Sequence, residues 1–100
     1  MTPVPLSPEA RDQIARLRRH YLDRDRPEAA EKLRGAIVEA TARIRTAPCR
    51  GLPAPRPYPQ LARPGRYWIK VGVYWVAYRA EPPAINAIFH EAADIPNRLR

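Results

Sequence analysis

One hundred residues leave room for one domain and one core, since a chain of this size buries only about 60–70% of the surface its unfolded form exposes. Eighteen Lys and Arg against ten Asp and Glu give a net charge of +8, and all the cations except Lys32 and Lys70 are arginine, so acidic proteins, polyanions and anionic surfaces are the natural partners. A lone cysteine, Cys49, excludes an internal disulfide and reads as a loop thiol without chemistry, and two histidines 70 positions apart, His20 and His90, offer no metal-ligand spacing, so neither metal nor cofactor is expected. No apolar run approaches the roughly 20 residues of a membrane span, and the opening MTPVPLSPEARDQ lacks the apolar centre of a signal peptide, which predicts a cytoplasmic protein with no membrane partner.

In chain order, Met1 to Leu6 carries Pro3 and Pro5, which cannot donate to a ladder; if extended, it is a short edge strand. Ser7-Pro8-Glu9 is a helix start: a hydroxyl to cap a free amide, a proline where its missing donor is harmless, and an acid at the positive end. Ala10, Ile14, Leu17 and Tyr21 then mark one helical face, with Arg11, Arg18 and Arg19 elsewhere. Asp23 to Arg26 breaks the pattern and Pro27 opens a second helix, capped by Asp25 or Arg26. Its seam is Ala30, Leu33, Ile37, Ala40 and Ile44, able to face the first helix, with Glu28–Lys32 and Glu39–Arg43 as outer pairs worth only about 0.2–0.5 kcal/mol each. Pro48 ends it.

Residues 48–65 hold six prolines and two glycines and predict an ordered, partly polyproline-like surface connection anchored by Leu52, Tyr58 and Leu61. From Arg66 the period becomes two. Tyr67, Ile69 and Val71 take one side and Trp68 and Lys70 the other; Gly72 turns the chain, and Val73 to Arg79 is β-branched and aromatic. Glu81-Pro82-Pro83 makes the next turn, and Ala84 to His90 is a third strand with Ile85, Ala87 and Phe89 on one face. The result is an α+β domain over residues 1–100 in the order β-α-α-β-β-β, a helical hairpin packed on a small antiparallel sheet.

Leu6-Ser7-Pro8-Glu9-Ala10 at the first junction, Ala29-Ala30, Ile44 to Pro48, Arg66-Tyr67-Trp68-Ile69, Tyr74 to Tyr78 and Ile88-Phe89-His90-Glu91-Ala92-Ala93-Asp94-Ile95-Pro96 follow one another collinearly over nearly the whole chain. In this they resemble the RelE/ParE superfamily of toxins from bacterial type II toxin–antitoxin pairs, closer to the ParE branch. The resemblance implies the RelE/ParE-like fold and a toxin neutralised by a labile, acidic, ParD-like antitoxin in a hetero-oligomer. One branch of the superfamily cleaves mRNA on the ribosome; the other poisons DNA gyrase and is not known as an enzyme.

Cutting RNA needs a base, an acid and cations for the phosphate. Of such groups only Lys70 and His90 are in place: Trp68 and Trp75 stand at expected cation positions, and Glu91, Ala92 and Ala93 follow His90. The ParE-like reading, gyrase inhibition, is therefore preferred; the alternatives are a ribosome-dependent endoribonuclease using Lys70 and His90, and a basic binding module with no toxin role. Ala93 stands where the family tail usually has Arg.

Expected contacts to the target are Trp68, Lys70, Arg79, His90 and Arg98, with direct nucleic-acid binding not specific. His90 reads as a general base or contact residue, or, the preferred reading, as a partly buried histidine hydrogen-bonded to backbone. Trp68 and Trp75 are either an exposed platform or packing beneath the proline-rich connection. Arg11, Arg18, Arg19, Arg24 and Arg26 are either an electrostatic surface or a solvated helix face. A groove for an acidic amphipathic antitoxin segment is expected from Ile14, Leu17, Leu33, Ile37 and Trp75.

Overall fold

The structure, a computed structural model, describes residues 4–93 and 95–98, the last two by backbone alone. The start of the expected edge strand, Asp94 and the Arg98 side chain fall outside the described residues. Helix α1 spans Pro8–Asp23 and α2 spans Pro27–Thr46. Two short 3-10 turns, Pro48–Arg50 and Pro59–Leu61, punctuate the connection to strands β1 (Arg66–Val71), β2 (Tyr74–Ala80) and β3 (Pro83–His90). A short α3, Ile95–Arg98, follows. The strands form one antiparallel sheet in the order β1-β2-β3, so the helical hairpin on a small sheet is the observed architecture. Among the described residues no helix is long and apolar enough to cross a membrane.

The helix signals act as local chemistry requires. Ser7 Oγ accepts from the Ala10 amide at 3.1 Å and donates to the Asn86 carbonyl at 2.9 Å, so the cap of α1 also clips the helix to β3. At the other end the Asp25 amide donates to Leu22 O and the Arg26 amide to Tyr21 O, while Asp25 sits at φ 55. This is a left-handed helix closure, with aspartate where glycine is commoner. Arg26, rather than Asp25, occupies the cap of α2, without a side-chain cap bond. Gly72, at φ 59, opens the two-residue turn that pairs Val71 with Tyr74.

Four details depart from the sequence expectation. Of the expected edge strand, the described residues Val4 to Leu6 contribute a bridge between Leu6 and Ile85, with Pro5 accepting from the Ile85 amide but having no donor to return. The buried face of α2 is Ala29, Leu33, Ala36, Ala40 and Ile44, turned onto the sheet, with Ala30 and Ile37 half-buried at its margin. Alanines allow the close approach that the larger Ile37 would block. Glu28 pairs with Arg26 at 3.5 Å rather than with Lys32, whereas Glu39–Arg43 forms at 3.6 Å.

On β3 the alternation is interrupted. Ala77 faces Ala87 while Tyr78 faces Ile85, so Asn86 is an extra residue in the ladder. Ile85 therefore joins Ile88 on the helix side, and Ala87 and Phe89 lie on the other, against the expectation of one shared face.

Both faces of the sheet are covered. The helices pack on Ile69, Val71, Tyr74, Val76, Tyr78, Ile85 and Ile88. Leu52, Ala54, Tyr58 and Leu61 of the proline-rich connection, with Ile95 of α3, cover Trp68, Trp75, Ala77, Ala87 and Phe89. Both edges are occupied too. Leu52 and Trp68 exchange two backbone bonds of 2.7 Å along β1, and on β3 Ser7, Pro5 and the Gln13 side chain engage Ile85 and Ile88. Such closure removes the unpaired rows that would recruit a foreign strand.

The connection is pinned at one tight point. The Tyr78 hydroxyl donates to Pro48 O at 2.7 Å, and Tyr67 stacks on Tyr78 with centroids 5.7 Å apart. Gly51 passes beneath both rings: an added Cβ would lie 2.4 Å from the Tyr78 hydroxyl and 2.8 Å from the Tyr67 Cβ. Its φ is an ordinary −69°, so space alone demands glycine. Gly51→Ala should cost about 3 kcal/mol, near the upper end of overpacking, read as a lowered denaturation midpoint. An unchanged midpoint would show that the connection does not pack here.

Candidate functional site

The register of the sheet decides what the expected site residues can do together. Lys70 faces Trp75, which faces Phe89, so these three share the side covered by the connection. Val71 faces Tyr74, which faces His90, on the helix side. Lys70 and His90 thus project from opposite faces of the sheet.

Each is also engaged locally. Lys70 Nζ is 2.7 Å from Glu91 Oε2 and 5.8 Å from the Trp75 ring centroid, with the Arg56 guanidinium at the same distance from that ring. The ammonium holds the Glu91 carboxyl below its ordinary value, first through the hydrogen bond and then through charge. His90 Nδ1 accepts from the Ala92 amide at 3.0 Å, and the ring meets Tyr74 edge-on. It is the histidine hydrogen-bonded to backbone that one reading of the sequence foresaw. Tyr74 in turn shares a 2.6 Å hydroxyl contact with Tyr21, and burial, then that bond, raises its pKa well above the ordinary tyrosine value.

The aromatic platform is not available at the surface. Trp68 is 0% and Trp75 3% exposed; Trp68 stacks on Phe89 and lies under the Arg66 guanidinium, 5.5 Å from its ring. Both indoles are the packing beneath the proline-rich connection. Trp68 therefore cannot touch a target in this arrangement, and Trp75 lies on the other side of the sheet from the helical groove residues it was grouped with. Arg79 is exposed, its Nε donating to Pro82 O at 3.0 Å, directly across the ladder from Arg66.

Of the groove residues, Ile14, Leu33 and Ile37 do come together. With Leu22 and Ala30 they line a furrow of about 340 Å³ between α1 and α2, rimmed by Arg18, Arg34 and Glu31. Leu33 forms its floor, being almost fully buried, while Ile14 and Ile37 are half-exposed walls. Leu17 turns to the other flank of α1, into a second cavity against β3. No cluster of three metal-ligating side chains occurs among the described residues. Sequence reading missed the Lys70–Glu91 pair and the second cavity, since their members are far apart in the chain; only the Gln13, Leu17, His20 spacing on α1 hints at the latter.

Sequence comparison with known families identifies this chain of two helices on a three-stranded antiparallel sheet. Residues 4–94 match the family model described as ParE toxin of type II toxin-antitoxin system, parDE. The chain is a member of the ParE toxin family. A search of curated proteins finds no match to it. Membership makes it a toxin of a toxin–antitoxin pair and implies an antitoxin partner.

The Glu91 carboxyl supplies a check on the site. Its pKa is depressed from 4.5 by Lys70, so the ionised pair stabilises the fold above that value and loses its contribution as pH falls through the lower folded value. A carbon-13 titration should place the Glu91 midpoint below 4.5, and Lys70→Met should bring it back up. A midpoint unmoved by Lys70→Met would break the assignment.

Proposed function

We propose that this ParE-family toxin acts in the cytoplasm by binding DNA gyrase and not by cutting RNA, and that an acidic, ParD-like antitoxin neutralises it. The observation that carries the first part is the separation of Lys70 and His90 onto opposite faces of the sheet, one ammonium tied to Glu91 and one imidazole nitrogen tied to the Ala92 amide. Transphosphorylation by a 2′-hydroxyl needs base, acid and cation around one phosphate within hydrogen-bond reach. Opposite faces and local partners argue against these two residues acting together on one phosphate. A protein that supplies a binding surface while its target breaks the DNA has no such requirement.

Antitoxin docking has a matching place. The furrow between α1 and α2 brings Ile14, Leu33 and Ile37 together at helical spacing, with Arg18 and the Arg34–Glu31 pair at its rim. An amphipathic acidic helix can lay apolar side chains there, and the net charge of +8 speeds its approach. The occupied sheet edges favour a groove over strand addition.

Induction in cells, followed by parallel assays of gyrase-trapped DNA and of ribosome-bound mRNA ends, tests the target. Trapped gyrase with intact mRNA is expected, for wild type and for Lys70→Ala alike; codon-specific mRNA cuts lost in Lys70→Ala would establish the nuclease instead, and neither effect would leave the basic binding module. In the same cells Ile37→Glu should remain toxic yet escape rescue by the co-expressed antitoxin. Full rescue would place the antitoxin elsewhere.

A further inference from the structure

The fold gathers the two histidines, 70 positions apart in sequence, on the walls of one cavity of about 410 Å³ between α1 and the end of β3. Gln13, Arg16, Leu17 and His20 lie along one face of α1, opposite Ile88, Phe89 and His90, with Ala92 and Ala93 closing the end. Its lining includes no Asp or Glu among the described residues. Outside it, Asp12 is ion-paired with Arg16, and Glu91 is committed to Lys70 on the far face of the sheet.

The hydrogen bonds fix what the walls offer. His90 Nδ1 accepts from the Ala92 amide at 3.0 Å, and His20 Nδ1 accepts, more weakly, from Arg24 Nε at 3.4 Å. A neutral imidazole that accepts at Nδ1 carries its proton on Nε2. Each ring therefore has a donor as its uncommitted nitrogen. A metal ion would need the Nε2 lone pair, forcing the proton onto Nδ1 against the Ala92 amide. Gln13 Oε1, the acceptor on this wall, is already taken by the Ile88 amide at 2.8 Å. What remains is two imidazole N–H groups and the Arg16 N–H groups that Asp12 leaves unused, above an apolar floor of Leu17 and Ile88.

We propose that this cavity between α1 and β3 is a carboxylate-binding subsite for an acidic peptide, taking a Glu or Asp side chain on His20, His90 and Arg16 while a neighbouring apolar side chain of the peptide covers Leu17. It is separate from the furrow between α1 and α2, which lies on the other flank of α1. The proposal depends on the toxin reading only for the source of the peptide, not for its chemistry. Charge complementarity selects the ligand: two imidazole donors beside Arg16, with no Asp or Glu among the described lining residues and on a chain of net charge +8, discriminate a carboxylate from its amide isostere.

The probes are a synthetic peptide of alternating Glu and Leu, the same peptide with Gln for Glu, inorganic phosphate and zinc, each titrated into the whole protein while long-range proton–nitrogen-15 spectra report the imidazoles. Both neutral rings should show the Nε2–H tautomer, and the Glu peptide should shift both and bind about tenfold or more tightly than the Gln peptide. His20→Asn and His90→Asn keep an acceptor near the Nδ1 position and remove the Nε2 donor, so each should weaken the Glu peptide about tenfold with an unchanged melting temperature. His20→Gln, which places an amide N–H near Nε2, should recover most of the loss. Equal affinity for the two peptides, indifference to His20→Asn and His90→Asn, or zinc coordination at the pair would overturn the proposal. Phosphate shifting both rings as strongly as the Glu peptide would replace the peptide subsite by a general oxyanion site.

Discussion

The rest of the structure depends on the double covering of a three-stranded sheet. Such a sheet has two apolar faces here, and the helical hairpin can bury only one. Trp68, Trp75 and Phe89 on the second face would each expose an aromatic ring; a buried aromatic removes about 150–250 Å² from water, on the order of 4–6 kcal/mol gross at about 25 cal/mol per Å². Surface ion pairs such as Arg34–Glu31, worth about 0–1 kcal/mol, cannot substitute for that. The chain meets the need with its proline-rich connection and with Ile95, which is fully buried beyond β3. Prolines suit this task because their restricted backbone lowers the entropy lost when the segment is laid down, and because most of its amides need no ladder partner.

From that covering the chemistry follows. A sheet face filled by tryptophans and closed by a strap cannot present a cluster of cations to a phosphate, so Lys70 is left at the rim, where it pairs with Glu91 and rests against Trp75. On the helix side, the space next to β3 is taken by α1, and His90 is drawn into contact with Tyr74 and Ala92. The charge of the molecule is thereby pushed outward to the arginines of the helices and of the strand ends. A basic exterior around a sealed core agrees with the proposed recruitment of acidic partners.

Much of this was legible in the sequence wherever a local rule acts alone. Ser7-Pro8-Glu9, Pro27, Pro48 and Gly72 each fix an element end through chemistry that involves only neighbouring residues. The alternation of β1 also held, with Trp68 and Lys70 opposite Tyr67, Ile69 and Val71. What escaped depends on partners distant in the chain. The extra residue at Asn86 leaves no compositional mark, yet it moves Ile85 to the other face. The buried stripe of α2 rotated toward Ala29 and Ala36 because alanine is silent in hydropathy patterning, while its small size matters where a helix lies close on a sheet. Gly51 looked like an ordinary loop glycine until Tyr67 and Tyr78 were placed over it. Of the candidate site, the Ile14, Leu33 and Ile37 furrow was readable from helical spacing, whereas the grouping of Trp75 with it required knowing which face of β2 each residue takes.

The covered sheet is tested most directly by its two tryptophans, the only ones in the chain. Acrylamide quenching of the intact protein, compared with the denatured chain, reads the access of solvent to Trp68 and Trp75 together. Both indoles should emit from an apolar environment and resist quenching until the fold is lost. Quenching in the native protein as efficient as in the denatured chain would mean that the strap does not cover the sheet, and would contradict the account at its centre.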